Sequence, residues 1–434
     1  MIDPASDTAR RQRETLDPMR RLRYFPHLGL SVLAQNSAGF DVRILDERLE
    51  RCEPDRLRVD LVGITVRTAL APRAHALARR FHGLGVPVVF GGPYATLTPD
   101  LALADPAVSA IVSGVGEAIW PEVLTHFANG RLKQRYCGRL PSSESAPPVG
   151  QRSPAGYRPG IRLVQAIKGC NFNCSFCVVP RLYGASVSTP SMERLVESIA
   201  AIRDRNLVIV DDNFIADRAF ARAFCHRMIG LGKRWTCQAT LNLACDASMM
   251  ALMAKAGCRL VNIGLETLNE RTWTLQRKRQ NFSCEFGSAI ARFHQHGLMV
   301  SGGFVFGFDE DDSSVFDRTL EFTERSRLDF AACHVLTPYP GLHLHEELKR
   351  DGRIITDDLA RYNTHEVVFR PMQMTAEQLQ SGFDWVVKEF YSADRILSRL
   401  GDSLGTCGTF AAFTNALIGV VVHSNLNRGL PIHA

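Results

Sequence analysis

Cys170-Asn171-Phe172-Asn173-Cys174-Ser175-Phe176-Cys177 packs three thiols into eight residues. An apolar run, Arg162-Leu163-Val164-Gln165-Ala166-Ile167-Lys168, and a single glycine, Gly169, lead into it, the pattern of a strand emptying into a loop. Such a loop can fold back on itself and turn its thiolates toward one soft metal centre. A closed structural zinc site takes four ligands, so three leave one position open. Iron–sulfur clusters are commonly held by four thiolates, and a [4Fe–4S] cube held by three exposes one iron to another ligand. Zinc with a distant fourth ligand, or three unrelated core cysteines, are the rival readings.

Outward from this loop, residues 161–342 repeat a strand–helix unit six times. The strands are expected at Leu163–Lys168, Leu207–Asp212, Trp235–Leu241, Arg259–Leu265, Met299–Phe306 and Phe330–Thr337. Six units make a partial (β/α)6 TIM-type barrel, whose chemistry belongs at the C-terminal strand ends. Asp211, Asp212 and Asn213 finish the second strand, Glu266 the fourth, and Gly303 lies in the fifth. Cys333 lies on the sixth, and Tyr339 stands between two prolines after it. Each has an ordinary alternative: a helix cap for Asp212 or Asn213, a salt bridge for Glu266, packing for Tyr339, a small buried apolar residue for Cys333.

Residues 23–140 read as a separate α/β unit. Strands are expected at Phe40–Asp46, Asp60–Thr65, Val86–Gly92 and Ser109–Gly114, and no convincing strand precedes Phe40. Strands alternating with helices predict a doubly wound, Rossmann-like parallel sheet, with ligands beyond its C-terminal edge. At that edge stand Thr65, Gly91, Gly92, Tyr94, Thr96, Gly114, Gly116 and Glu117. Residues 1–22 read as a polar, Arg-rich leader, and the Pro/Ser/Gly-rich stretch 141–160 as a linker. From 343 to 434 the chain reads as a mostly helical extension, with an apolar tail from Phe410 to Val422.

The C-x3-C-x2-C spacing of Cys170, Cys174 and Cys177, with Phe176 before the last cysteine, resembles the signature of the radical S-adenosylmethionine (SAM) superfamily. The resemblance implies that SAM chelates the open iron and that one electron cleaves it to methionine and a 5′-deoxyadenosyl radical. Gly91-Gly92-Pro93-Tyr94-Ala95-Thr96 and Gly114-Val115-Gly116-Glu117 resemble segments of the cobalamin-binding domain of one class of that superfamily. No D-x-H-x-x-G motif offers an imidazole to cobalt, and His27 reads as a surface or capping histidine. Asp211-Asp212-Asn213-Phe214, the G-x-E around Glu266, Gly302–Asp309 and Thr337–Gly341 match further segments of the class. The match implies contacts of Asp211, Asp212, Asn213, Glu266 and Gly303 with SAM or substrate, and substrate contact or radical quenching for Tyr339; Cys333, on the last strand, is a further candidate for a radical-quenching thiol. The extension, with His365-Glu366-Val367-Val368-Phe369-Arg370-Pro371, resembles that of the hopanoid C-2 methylase group.

The chain has 434 residues, 45% apolar and 22% charged, which predicts an ordinary globular protein of more than one domain. Its net charge of +6 comes from scattered arginines, so nucleic acid is not an expected partner. Twelve cysteines without a secretory signal predict reduced thiols in the cytoplasm. The apolar tail suits a buried helix, with a membrane surface as the alternative. The resemblance therefore implies a [4Fe–4S] cluster, SAM and cobalamin, and an electron donor such as flavodoxin or ferredoxin. It implies methylation of an unactivated carbon in a small-molecule substrate. Cyclisation, epimerisation or oxidation without methyl transfer remains open, as does a non-catalytic iron–sulfur or corrinoid-binding partner protein.

Overall fold

The computed structural model describes residues 1–6, 9–10, 25, 27–140 and 160–427. A first sheet contains β1 (Ile2–Asp3), β2 (Leu45–Asp46), β3 (Val62–Thr65), β4 (Val88–Gly91), β5 (Ala110–Gly114) and β6 (Arg135–Gly138). Its spatial order is β2-β1-β3-β4-β5-β6, with every pairing parallel. Short apolar strands such as Val88-Val89-Phe90 need cover on both faces. The Ala71–Gly83 helix supplies Leu77 and Phe81 against Phe90 on one side. The Gly116–Ala128 helix supplies Trp120, Val123 and Leu124 against Val89 and Val112 on the other. The order reverses between β1 and β3, and the ends of those strands open the crevice where such sheets take ligands.

Two expectations are corrected here. Ile2–Asp3 belongs to no leader: Ile2 pairs in register with Leu45 on one side and Ile64 on the other, so a strand does precede Phe40. Two residues carry no periodicity, and their neighbours alone make them a strand. The strand expected from Phe40 shrinks to Leu45–Asp46, and Phe40 is exposed. The expected leader at 7–8 and 11–22, residues 23, 24 and 26 of the first unit, and the linker at 141–159 lie outside the described residues.

A second sheet holds β7 (Ile161–Val164) and, after a short antiparallel pair of β8 (Lys168–Gly169) with β9 (Val187–Ser188), the strands β10 (Asn206–Ile209), β11 (Arg234–Ala239), β12 (Cys258–Glu266), β13 (Met299–Phe306) and β14 (Phe330–Val335). Its order is β14-β13-β12-β11-β10-β7, all parallel, a half-barrel with helices in the connections. Register places Gly264 beside Gly303, Gly303 beside Ala332, and Val305 beside His334. Neighbours in register share a face, so these half-buried residues form one surface, the inner one.

The extension wraps this half-barrel. The Ala376–Phe390 helix starts with a capping box of Thr375 and Gln378 and buries Leu379, Phe383 and Val387 in the barrel core. The free edge of β14 is partly covered, because Val335 N–H donates to Thr364 O at 2.7 Å. The last helix, Ala393–Asn427, is broken at Gly408 and includes the apolar tail. Asn415 is buried there: its amide donates to Asp329 O at 3.3 Å and to Ser403 Oγ at 3.0 Å. Asp329 also binds His294 Nε2 at 2.9 Å, which gives that histidine a structural task. Phe413 and Val420 are exposed, and among the described residues no helix is long and apolar enough to cross a membrane.

The two sheets meet at the Thr337–Gly341 loop. Gly341 has φ +89°, and a Cβ there would stand 2.2 Å from the Leu97 carbonyl oxygen of the first unit. Leu359 of the extension packs into the first unit's core as well. Gly341→Ala should therefore cost about 2 kcal/mol or more in urea unfolding, the sum of backbone strain and a collision. Gly352 has φ +67° but no atom within 4 Å of a built Cβ, so Gly352→Ala should lose about 1 kcal/mol, from strain alone.

Candidate active site

The loop of three thiols is tied down from several sides. Gly169, at φ +90°, enters it with no room for a side chain, since a Cβ would lie 2.3 Å from Ser186 O. Asp211 Oδ1 accepts the Ala166 N–H at 2.7 Å and Asp212 Oδ2 accepts the Gly169 N–H at 3.0 Å. Asn213 lies near the Cys170 thiol, and its Oδ1 accepts the Ile215 N–H at 3.3 Å. Gln280 Nε2 donates to Cys174 Sγ at 3.7 Å. Asp211 and Asn213 are buried, so in this state they organise the loop and the start of the next turn.

Cys174 is buried, and Cys170 and Cys177 are half-buried. Burial raises the Cys170 thiol and pushes Cys177 up to about 12. Without a positive partner these groups stay protonated; a cluster's irons would supply the missing charge. Among the described residues no three His, Cys, Asp or Glu side chains are gathered as ligands of one ion would be. Cys170, Cys174 and Cys177 would each hold one iron of such a cluster. The Gln280 amide on Cys174 suits a cluster thiolate too, since such hydrogen bonds tune the potential.

Beside the loop lies a charged pair. Glu266, at φ +66°, meets Lys278 Nζ at 2.5 Å, and Lys278 is 7% exposed. Burial works against the lysine's charge, but Glu266 and the neighbouring Cys174 overcome it and hold the pKa above the usual lysine value. Lys278 Nζ stands 5.9 Å from the Phe176 ring centroid, and Phe176 packs edge-on against Phe308 at 5.6 Å. Asp311 Oδ2 fixes that phenylalanine by accepting the Gly307 and Phe308 N–H groups, both at 3.0 Å. Gly303 sits on the inner surface in register with Gly264. The sequence reading missed Lys278, Gln280 and Asp311, because their contacts are made across loops whose approach no local pattern reveals.

A cavity of about 520 Å³ lies between the two sheets. Thr65, Gly91, Gly92, Gly114, Gly116 and Glu117 line it from the first unit, as the ends of β3, β4 and β5 should. Gln165, Lys168 and Tyr183 face them from the half-barrel. Lys168 Nζ reaches Glu117 Oε1 at 2.5 Å, an ion pair joining the units two residues before Cys170. His27 lines the cavity and caps its helix: Nδ1 accepts the Leu30 N–H at 3.3 Å, and Nε2 lies 3.4 Å from Thr65 Oγ1. Both ring nitrogens thus have protein partners, in keeping with the capping role.

Three expected site residues are placed elsewhere. Tyr94 is 1% exposed and turns into the first unit's core, where its hydroxyl lies 3.2 Å from His75 Nε2. Thr96 donates to Gly92 O at 3.0 Å and accepts the Gly114 N–H at 2.9 Å, so it ties two glycine turns together. Cys333 follows Ala332 on β14 and therefore faces outward, buried near Tyr391 whose hydroxyl binds Ala331 O at 3.0 Å. That orientation removes it from the inner surface and corrects the quenching role expected of it. Tyr339 is half-buried, its phenol pushed up to about 12 by burial against the opposing charge of Arg67, which lines the cavity.

Lys278→Met would strand the Glu266 carboxylate, and a loss of about 3 kcal/mol is expected in urea unfolding. The double variant with Glu266→Gln should recover much of it. Burial raises Asp311 to about 6 in the folded protein, above the value near 4 of an unfolded chain. Its contribution is full below about pH 4 and lost as pH rises through about 6. Relative to wild type, Asp311→Asn should therefore gain up to about 3 kcal/mol of unfolding free energy between pH 4 and 7. A flat difference would show that the carboxyl titrates normally.

The sequence profile of the radical SAM superfamily matches residues 164–322, the span of the half-barrel and its thiol loop. Bacteriochlorophyllide d C-12(1)-methyltransferase of Chlorobaculum tepidum is 28% identical over 377 residues, covering 84% of this chain and 82% of that one. Hopanoid C-2 methylase of Rhodopseudomonas palustris is 25% identical over 360 residues, covering 77% and 66%. Among solved structures, the radical SAM methyltransferase TsrM of Kitasatospora setae, with cobalamin and a [4Fe–4S] cluster bound, superposes with a TM-score of 0.71 over 99% of this chain and 98% of that one, at 15% identity. The cobalamin-dependent radical enzyme OxsB, with aqua-cobalamin and SAM bound, gives a TM-score of 0.63 over 98% and 71%, at 12% identity. Those likenesses are of fold: a parallel-sheet unit, a half-barrel and a helical extension. The thiol loop lies on the span that matches the radical SAM superfamily, and the rest of the chain is similar in fold to those cobalamin-binding structures.

Proposed function

We propose that this protein uses SAM and cobalamin to methylate an unactivated carbon of a small-molecule substrate. The carrying observation is that the three-thiol loop and the crevice of the first sheet adjoin one another, bridged by Lys168 and Glu117. The methyltransferase relatives and the cobalamin-bound structures of like fold support this reading. When bound, the cluster and SAM supply a carbon-centred radical and the corrinoid a transferable methyl group.

The chain's own part is to hold, orient and keep water out. Cys170, Cys174 and Cys177 are the residues to grip the cluster. Glu266 and Lys278 present a carboxylate and an ammonium to the complementary charges of an amino acid such as the methionyl end of SAM, beside the apolar face of Phe176. Gly91 and Gly116 let a flat ligand approach the backbone of the first sheet, since a Cβ at either would find no atom closer than 3.8 Å. Gly264, Gly303 and Ala332 leave the inner barrel surface low, and Tyr339 stands at its joint with the first unit. A flavodoxin or ferredoxin would deliver the electron.

The test is anaerobic reconstitution with iron, sulfide and cobalamin, followed by SAM and a reductant. Expected are a stoichiometric corrinoid absorption and formation of 5′-deoxyadenosine, with Cys174→Ala reduced to background in the latter. Cleavage undiminished in Cys174→Ala would reject the ligand assignment. A filled cluster with no deoxyadenosine would point to a binding protein, and cleavage without bound corrinoid to a radical reaction other than methyl transfer.

A further inference from the structure

Two cysteines outside the cluster loop also meet. Cys245 ends the 3₁₀ turn Leu241–Cys245 after β11, and Cys284 directly follows the 3₁₀ turn Arg279–Ser283. The Cys245 thiol donates to Ser283 O at 3.4 Å, which brings it beside Cys284. Cys245 is exposed and Cys284 half-buried, so solvent reaches the pair. Cys237 and Cys258 also lie near one another, but both are buried in the barrel core. Arg292 braces the accessible pair, donating to Ala244 O at 3.4 Å while its charge lies near Cys284.

What this pair flanks gives it meaning. The segment that ends at Cys284 carries Lys278, partner of Glu266; Gln280, donor to Cys174; and Asn281, whose amide donates to Leu265 O at 2.7 Å. We propose that Cys245 and Cys284 form a reversible dithiol–disulfide site that braces this segment against the turn after β11.

The chemistry is exchange with a low-molecular-weight disulfide. The exposed Cys245 thiolate attacks one sulfur of the small disulfide, whose S–S bond breaks as a mixed disulfide forms and one small thiol leaves. Cys284 then attacks the Cys245 sulfur, closing the intramolecular bond and expelling the second small thiol. Two electrons pass from protein to small molecule, and the two thiol protons end on the released thiols. Burial raises the Cys284 thiol to about 11, which makes Cys245 the attacking member and Cys284 the resolving one.

The experiment uses the full-length, cluster-loaded protein incubated with oxidised glutathione in the absence of oxygen, then alkylated and peptide-mapped. A cross-linked peptide joining positions 245 and 284 is expected, with loss of two alkylatable thiols and their return after dithiothreitol. Cys284→Ser should instead trap glutathione on Cys245. Separate adducts on both residues of the wild type, or two thiols that stay alkylatable, would overturn the site. Amide hydrogen exchange across 278–284 should slow in the oxidised wild type and stay unchanged in Cys284→Ser; equal exchange in both redox states of the wild type would overturn the brace. No outcome depends on SAM cleavage, so failure here is distinguishable from failure of the proposed function.

Discussion

Two adjacent carboxylates at the end of β10 hold the loop on which the reactive centre is to be built. Asp211 grips the backbone at Ala166 and Asp212 at Gly169. Burial raises the Asp211 pKa well above the carboxylate range, although backbone N–H groups favour its charge. A polar side chain enclosed in this way is costly unless its bonds are made, so its backbone contacts are hard to rearrange. The thiols inherit that rigidity: Cys170 follows Gly169 directly, and Asn213, one beyond Asp212, lies near its sulfur. A site must be held this way if reacting atoms are to stay aligned.

The same arrangement explains how much could be read in advance. The thiol spacing, the six strands of the half-barrel and the glycines at the ends of β4 and β5 are local patterns, and local patterns survive folding. Ile2–Asp3 is a strand by courtesy of Leu45 and Ile64, which no window of sequence around it contains. Tyr94 shows how a motif fixes a backbone path without fixing where each side chain points: its short helix turns the ring inward to His75 while Gly91 and Gly92 stay at the cavity. Cys333 fell to parity, because one residue along a strand exchanges inner for outer face. Lys278 was invisible for another reason: a lysine in a basic stretch, Arg277-Lys278-Arg279, reads as solvated until the fold buries it beside Glu266.

The space between the sheets belongs to neither unit alone. The first contributes strand-end glycines and Glu117; the half-barrel contributes Lys168 and Tyr183 from either end of the thiol loop and its following helix. An ion pair in such a place, with its side chains 17% and 14% exposed, is less screened than one in open water. It links the cavity wall to the chain just ahead of Cys170, so what fills the cavity and what the thiols hold are mechanically adjacent. The close contact of Gly341 with Leu97 fixes the units' spacing at a second point.

The position of β1 between β2 and β3 has a consequence for how the chain assembles as it is made. Ile2 leaves the ribosome before either of its partners, and the sheet cannot close around it until Leu45 and Ile64 have followed. During that interval β1 waits without these two hydrogen-bonded neighbours, and the pairing that completes it spans about sixty intervening residues. Slow translation across that stretch would lengthen the exposure of an unpaired edge, the moment at which a nascent chain is most open to chaperones or to mispairing.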